Sequence, residues 1–361
     1  MRAVLGATIL VCAVATGIPG TASADPMTAA GVASGSGAGI ERISVASDGT
    51  QGDGDSAGAT ITTDGRRIAF SSSANNLTPA NPANRERVFV RDQRTPQTLL
   101  MTTLTPPIQR PLISGDGQYV ALWGLLQRDT KSFLSQVRSG STIGINCSGL
   151  SCSQPSLSTD GRYLAQVATF NRPPSRQRIE VRDWQAGTAV TVDEFDHTVS
   201  ARPSISGDGR FVAYQDGQAQ DVFVWDRSDD TSSGPIEGPS TAATLVQISR
   251  DGSKVVYLSG SDTYVHDEKS GTNHLVANVR GVAIDPTGRY LLYAPHDTSG
   301  PSLTLRDLET GSDEIVSDRP ASAGTDAVSA GGRDVVFHST ADDIVPGDTN
   351  GKSDVFVRRF Y

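Results

Sequence analysis

Seven times along this chain a short aliphatic run meets a tight turn and returns as a second aliphatic run. The turn glycines are Gly65, Gly117, Gly161, Gly209, Gly252, Gly288 and Gly332, at intervals of 52, 44, 48, 43, 36 and 44 residues. Four residues before each stands an aliphatic residue (Ile61, Ile113, Leu157, Ile205, Ile248, Ile284, Val328). Three before stands a small polar one (Thr62, Ser114, Ser158, Ser206, Ser249, Asp285, Ser329). Three after comes Ile68, Val120, Leu164, Val212, Val255, Leu291 or Val335, and five after comes Phe70, Leu122, Gln166, Tyr214, Tyr257, Tyr293 or Phe337. Asp-Gly pairs such as Asp116-Gly117 signal a hairpin, because a type I′ turn needs positive φ at both central residues. A repeat of this length made of short strands predicts a propeller, one blade per repeat. Shared columns are then architectural, so function is to be sought where the repeats differ.

A second mark recurs out of phase with the first: Val-Phe-Val-Arg-Asp at 88–92, Glu-Val-Arg-Asp at 180–183, Val-Phe-Val-Trp-Asp at 222–226, Tyr-Val-His-Asp at 264–267 and Leu-Thr-Leu-Arg-Asp at 303–307. Degenerate copies lie at Val137-Arg138 and at 355–359. Its aspartate opens a turn and bonds its own backbone, which needs no catalytic explanation. Together the marks define four strands: a ends in the glycine turn, b leaves it, c is the second mark, and d follows. The chain stops at Tyr361 on a strand c, while Ile40-Glu41-Arg42-Ile43-Ser44-Val45 has strand d character with no a, b or c before it. The expected fold is all-β: a seven-bladed β-propeller of four-stranded antiparallel blades. The N-terminal strand, 40–46 beside 354–360, completes the last blade and removes its open edge.

Three stretches carry a family resemblance: Arg-Ile-Ser-Val-Ala-Ser-Asp-Gly at 42–49, Asp-Gly-Arg-Arg-Ile-Ala-Phe-Ser-Ser at 64–72, and Gly-Asp-Thr-Asn-Gly-Lys-Ser-Asp-Val-Phe-Val at 347–357. Through them residues 40–361 resemble the TolB-like propeller repeats of secreted bacterial proteins. The resemblance implies the fold and leaves the activity open, because propellers host unrelated functions. TolB carries an α/β domain before its propeller. No such segment is read here, so the expectation is the propeller alone.

Residues 1–24 read as a secretory signal, with Arg2 as the charged start, an apolar stretch from Ala3 to Thr16, and Ala22-Ser23-Ala24 as the cleavage site. The apolar run is too short to span a membrane. Residues 25–39, rich in Gly, Ala and Ser, read as a flexible linker, and 40–361 as one propeller domain. The expected location is secreted or in the periplasm or cell envelope. Loss of Cys12 with the signal leaves Cys147 and Cys152. An even pair in an exported chain points to a disulfide. A metal site is the other reading, but no His or further Cys lies nearby in sequence to complete a tetrahedron. The formal net charge is −9, with no basic stretch, which argues against a nucleic-acid partner.

Catalytic motifs of known spacing are missing: there is no Gly-x-Ser-x-Gly, His-Glu-x-x-His or phosphate loop. The histidines, His197, His266, His274, His296 and His338, fall in different repeats, so a Ser-His-Asp set would have to assemble across blades. The b–c and d–a connections are long and irregular, which makes their face, with the channel mouth at its centre, the expected binding face. Part of it is rich in carboxylates: Asp48, Asp53 and Asp55 enter the first blade, and Asp342, Asp343, Asp348, Asn350 and Asp354 lie in the last. Asp348-x-Asn350-Gly351-x-x-Asp354 resembles part of a calcium loop. The expectation is calcium at the ring seam, held by Asp348, Asn350 and Asp354 with Asp48, Asp53 or Asp55; a solvated Asx-rich turn is the alternative. Two function classes remain. One is a monomeric, non-enzymatic scaffold binding a protein, peptide or cell-wall glycan. The other is a propeller glycan hydrolase or lyase with carboxylates at the channel mouth.

Overall fold

In the computed structural model the described residues are 39–361, save 80–84, 102–109, 171–175, 198, 200, 217, 219 and 241. The signal, its cleavage site and nearly all of the linker read from the sequence lie outside them. Seven antiparallel sheets form an all-β propeller. Blade 1 consists of Ser56–Ile61, Arg67–Ser72, Arg87–Asp92 and Gln97–Met101 as strands a to d. Blades 2 to 6 follow at 112–145, 151–195, 204–236, 243–276 and 279–317. The seventh pairs Asp334–Ser339 (b) with Asp354–Arg359 (c) and Gly39–Arg42 (d), its strand a reduced to isolated bridges from Ser322 to His338 and from Val328 to Val335. Ile40 lies opposite Arg358 and Arg42 opposite Phe356, so the N-terminal strand closes the ring. Among the described residues no helix is long and apolar enough to cross a membrane.

Strands b and c are apolar on both faces because each blade is covered by two others. Ile68, Phe70, Val88, Phe89 and Val90 of blade 1, and Val335, Val336, Val355, Phe356 and Val357 of blade 7, are fully buried. The aromatic column of strand b meets strand c across the ladder. Phe70 stacks on Phe89, Tyr214 on Phe223, Tyr257 on Tyr264 and Phe337 on Phe356, with ring centroids 5.4–5.8 Å apart. Blade 3 departs from this. There Gln166 Nε2 donates to Glu180 Oε1 at 3.0 Å, both residues buried, and Glu180 Oε2 accepts from the Ser148 amide at 3.1 Å. Ser148 belongs to the short loop stapled by the Cys147–Cys152 disulfide, Cα–Cα 5.7 Å, between strand d of blade 2 and strand a of blade 3.

The a–b turns differ from the two-residue type I′ expected. Thr62 N donates to Arg67 O, so four residues lie in the loop, and Gly65 alone of them takes positive φ, +74°. The preceding aspartate instead serves as a side-chain cap. In blade 2, Ser114 Oγ donates to Asp116 Oδ1 at 2.6 Å, the Gln118 amide donates to the same oxygen, and the Tyr119 amide donates back to Ser114 Oγ. Asp64, Asp160, Asp208 and Asp251 repeat the device. This is why the column three residues before the glycine is small, polar and buried.

These turns are also bonded to one another around the axis. Thr63 N donates to Gly115 O (2.9 Å), Asp116 N to Thr159 O (2.9 Å), Thr159 N to Gly207 O (2.8 Å), Gly207 N to Arg250 O (2.6 Å), and Asp251 N to Pro286 O (3.0 Å). Ala330 N donates back to Thr63 O at 2.9 Å. Pro286 has no N–H to pass on. At that step Asp285 Oδ2 accepts from the Gly331 amide at 3.0 Å, which explains an aspartate in an otherwise Ser/Thr column. The approach is close: a Cβ at Gly207 would lie 2.4 Å from Thr159 Oγ1 and 2.8 Å from Arg250 O.

The aspartates ending strand c accept from the next backbone amides, as expected, and each also pairs with a cation at the start of strand b. The pairs are Asp92 with Arg66 and Arg67, Asp183 with Arg162, Asp226 with Arg210, Asp267 with Lys254 and Asp307 with Arg289. Burial opposes ionisation of Asp92, but hydrogen bonds from Arg66, the Thr95 amide and Arg67 outweigh it and hold the carboxyl at about 2. The Arg289 guanidinium, against burial, holds Asp307 at about 2. The long-loop face is less even than expected, because the b–c connections of blades 2 and 5 are two-residue turns at Gln127-Arg128 and Gly260-Ser261.

Two outcomes follow from this architecture. Deleting residues 39–46 removes strand d of blade 7 and should give an aggregating chain without a cooperative melt; a soluble chain with the original melting temperature would contradict closure. The second concerns acid. Asp92 and Asp307 are depressed in the folded chain from 3.8, so the stability they add is complete above about pH 4 and lost as pH falls towards 2. Asp92→Asn with Asp307→Asn should therefore melt earlier at pH 7, with the difference closing across that window in circular-dichroism melts. A difference independent of pH would show that these pairs are not its source.

Candidate functional site

The turn belt gathers the strands a at one end of the axis. Towards the other end, on the face of the b–c and d–a connections, lies a cavity of about 490 Å³. Its walls come from segments entering blades 2, 4 and 7 (Arg110, Arg202, Thr325) and from strands of blades 5 and 6 (Leu245, Val246, Leu258, Arg280, Val282, Ala294). Register shifts between Leu245 and Gln247, and between Gly281 and Ala283, mark β-bulges at Val246 and Val282. Such bulges re-aim side chains beside functional sites, and both valines line the cavity.

The floor is cationic. Arg110 Nη2 donates to Thr325 Oγ1 at 3.0 Å, and Arg202 Nη2 donates to the same oxygen. Arg250 reaches across to Leu157 O through Nη1 at 3.0 Å and to Asp326 Oδ1 through Nη2 at 3.1 Å. Arg202 lies 3.7 Å from Asp326 Oδ2. Gln247 holds this carboxylate from below: its Nε2 donates to Asp326 Oδ1 at 3.3 Å, and its Oε1 accepts the Asp326 amide at 3.2 Å. Asp326 has φ +59°, a conformation uncommon for a residue with a side chain but tolerated best by Asp and Asn. Arg110 is seated against two glycines; a Cβ at Gly324 would fall 1.2 Å from its Nη1, and one at Gly58 2.7 Å from its Cβ.

Two guanidiniums, Arg202 and Arg250, therefore meet one carboxylate, and Arg110 joins them through the Thr325 hydroxyl it shares with Arg202. Burial pushes Arg202 down to about 10, aided by Arg110 and Arg250 and opposed by Asp326, which leaves it cationic at neutral pH. Burial likewise lowers Arg110, with Asp326 opposing. Burial and the charge of Arg110 lower His338, favouring its neutral imidazole. Arg280, exposed on the rim, adds a fourth positive charge. Each guanidinium carries five N–H donors, and the shared Thr325 hydroxyl takes one from Arg110 and one from Arg202. The chemistry on offer is recognition of an anion by oriented donors.

The residues singled out from the sequence lie elsewhere. Asp348, Asn350 and Asp354 do come together at the ring seam. Arg42 Nη2 sits 3.2 Å from Asp348 Oδ2, Gln51 Nε2 donates to Asp348 Oδ1 at 2.7 Å, and Asn350 Nδ2 donates to Asp354 Oδ2 at 3.0 Å. Burial raises the Asp354 carboxyl above its ordinary value against bonds from Ser44, Gln51 and Asn350. Asp55 Oδ1 accepts from the Ser353 amide at 2.9 Å across the seam, Asp53 from the Asn75 amide at 2.6 Å, and Asp48 from the Thr50 amide at 2.9 Å. Arg42 supplies the positive charge at this seam. Among the described residues no three His, Cys, Asp or Glu side chains gather as a metal-holding group. His197 meets Asp196 on Nδ1 (3.1 Å) and Asp216 on Nε2 (2.8 Å), so carboxylates flank both ring nitrogens.

The arginines were missed although their signal was present. The column seven residues before the turn glycine reads Gly58, Arg110, Gln154, Arg202, Leu245, Gly281 and Thr325. The repeats disagree in this column, and five of its seven members line the cavity.

No protein-family model matches the chain, and no curated protein matches it. Among solved structures it is similar to an oligogalacturonate lyase in complex with manganese, at 12% identity over 91% of this chain and 94% of that one, TM-score 0.66. A second oligogalacturonate lyase, from Vibrio parahaemolyticus, gives 12% identity over 89% and 96%, TM-score 0.64. TolB from Acinetobacter baumannii gives 17% identity over 70% of this chain and 64% of that one, TM-score 0.50. These likenesses are of fold, and at that level the propeller is TolB-like.

Removing the shared counter-ion should cost more than removing a cation. Asp326→Asn leaves Arg202 and Arg250 without their carboxylate beside Arg110 and should destabilise by about 3 kcal/mol in denaturant unfolding. Arg202→Met relieves repulsion with Arg110 and Arg250 and should cost clearly less. The reverse order would show that the charges do not act as one cluster.

Proposed function

We propose that this chain is an exported, non-enzymatic binding propeller that captures an anionic ligand in its axial cavity from the face of the b–c and d–a connections. The supporting observation is the clustering of Arg110, Arg202 and Arg250 about Thr325 and the single carboxylate of Asp326 beneath an open cavity. The chain as a whole carries a formal charge of −9, so this concentration of positive charge is local and runs against the general surface. A cleft of one sign with low-dielectric walls focuses the field and draws in ligands of the opposite sign. The Cys147–Cys152 disulfide fits an exported chain.

The second reading is a lyase or hydrolase acting on an acidic glycan, in keeping with the fold shared with two oligogalacturonate lyases. The same arginines would hold the substrate's carboxylates. Paired carboxylates for hydrolysis would have to come from residues other than the described cavity lining, which holds none.

Binding and turnover separate the readings. The purified chain should bind small carboxylates or phosphate in isothermal titration, with affinity falling as salt rises. Arg110→Gln with Arg202→Gln should weaken this at least tenfold. Oligogalacturonate incubated with the chain should keep its length and form no unsaturated ends. Turnover abolished by the same substitutions would replace the scaffold reading with the enzymatic one.

A further inference from the structure

The cavity has two chemically different sides. Arg110 and Arg202 come from blades 2 and 4, whereas Val246, Leu258, Val282 and Ala294 come from blades 5 and 6. All four aliphatic residues are only partly buried, so the folded chain leaves them open to an occupant. Two of them stand at the β-bulges, where the ladder gives up regular pairing. The polar side chains that line the space besides the arginines are the hydroxyls of Thr244, Ser322 and Thr325. Among the described lining residues there is no aromatic ring and no amide or carboxylate side chain.

That composition discriminates among anions. A sugar acid presents hydroxyls around a ring, and its recognition calls for aromatic faces and side chains that both donate and accept hydrogen bonds. Aliphatic walls would desolvate those hydroxyls without repaying them. Inorganic phosphate would use the guanidiniums and leave the aliphatic side wet. A carboxylate on a hydrocarbon chain matches both sides together, because the head takes oriented N–H donors while the chain removes apolar surface from water.

We propose that the axial cavity is a site for a small amphiphilic carboxylate, an aliphatic acid whose head is held by Arg110 and Arg202 and whose chain lies along Val246, Leu258, Val282 and Ala294. The assignment rests on the anion-binding reading above and narrows its ligand class. Arg280 on the rim favours entry head first and speeds association with a negative ligand. The cavity falls within the usual volume range for small-molecule sites, so a short to medium chain fits and a long one projects into solvent.

The test uses the full exported chain and a ligand series in isothermal titration: acetate, butanoate, hexanoate, octanoate, octanamide, galacturonate and inorganic phosphate. Each added methylene should tighten binding about three- to fourfold until the cavity is filled. Octanamide should bind at least tenfold more weakly than octanoate. Arg202→Gln should remove most of that preference for the acid. Val246→Thr with Val282→Thr, which keeps side-chain size, should flatten the chain-length dependence while leaving acetate unchanged. The series on the unsubstituted chain decides the matter even if a variant folds poorly. Galacturonate or phosphate binding more tightly than octanoate, with no dependence on chain length, would overturn the aliphatic assignment and leave the anion reading standing. Octanamide equal to octanoate, with no phosphate binding, would overturn the anion reading as well. Absence of binding by every probe would overturn both.

Discussion

The belt of hydrogen bonds between successive a–b turns sets the geometry on which the rest of the ring depends. Backbone amides link successive turns from Thr63 to Pro286 and from Ala330 back to Thr63, and between the sixth and seventh turns the Gly331 amide donates to the Asp285 side chain instead. The contact is short enough that glycine is required at Gly115 and Gly207, where a Cβ would meet Thr63 or Thr159 oxygens at 2.6 and 2.4 Å. With the turns fixed, the small polar column beneath them has one task, capping its own loop and relieving buried backbone groups. Where proline interrupts the series at Pro286, Asp285 carries the link through its side chain. An aspartate that looks like a neutral variation in the column thus repairs the ring.

Fixing one end of the axis leaves the other end free to vary. Strands b and c supply burial and cross-strand stacking and tolerate little change, whereas the segments entering strand a face the axis and are not needed for the ladder. Arg110 and Arg202 lie there, and Arg250 reaches towards them from the turn belt. Three guanidiniums around one carboxylate do not favour folding by themselves, since like charges repel and burial strips them of water. Such a cluster persists because the apolar blades over-determine the positions that hold it. Local departures of this kind are where function is expected in a fold otherwise consistent at every level.

Blade 3 shows a different departure. Its aromatic pair is replaced by buried Gln166 and Glu180, which meet the Ser148 amide of the disulfide loop and the Asn146 carbonyl just before it. A buried carboxylate needs fixed donors. The staple at Cys147 and Cys152 restrains the loop that provides one. The disulfide therefore serves local order at a non-repeating blade, in keeping with the small entropic gain of closing so short a loop.

The sequence by itself determined the number of blades, the order of strands, the closing N-terminal strand and the disulfide. All of these follow from periodic or nearest-neighbour patterns: aliphatic columns, glycine at positive φ, a paired cysteine. The cation–aspartate pairs of strands b and c were not legible in the same way, because the partners lie 26, 21, 16, 13 and 18 residues apart in successive examples. Only the tertiary structure decided the candidate site. Arg110 and Thr325 are 215 residues apart, and Arg250 and Asp326 are 76 apart, with no motif joining them. Carboxylates clustered in sequence, such as Asp348 and Asp354, drew attention, and folding sets Arg42 and the side chains of Ser44, Gln51 and Asn350 against them. Local spacing is one-dimensional and fixes what each repeat becomes. The electrostatics of the axis sum over seven distant positions that meet only when the ring closes.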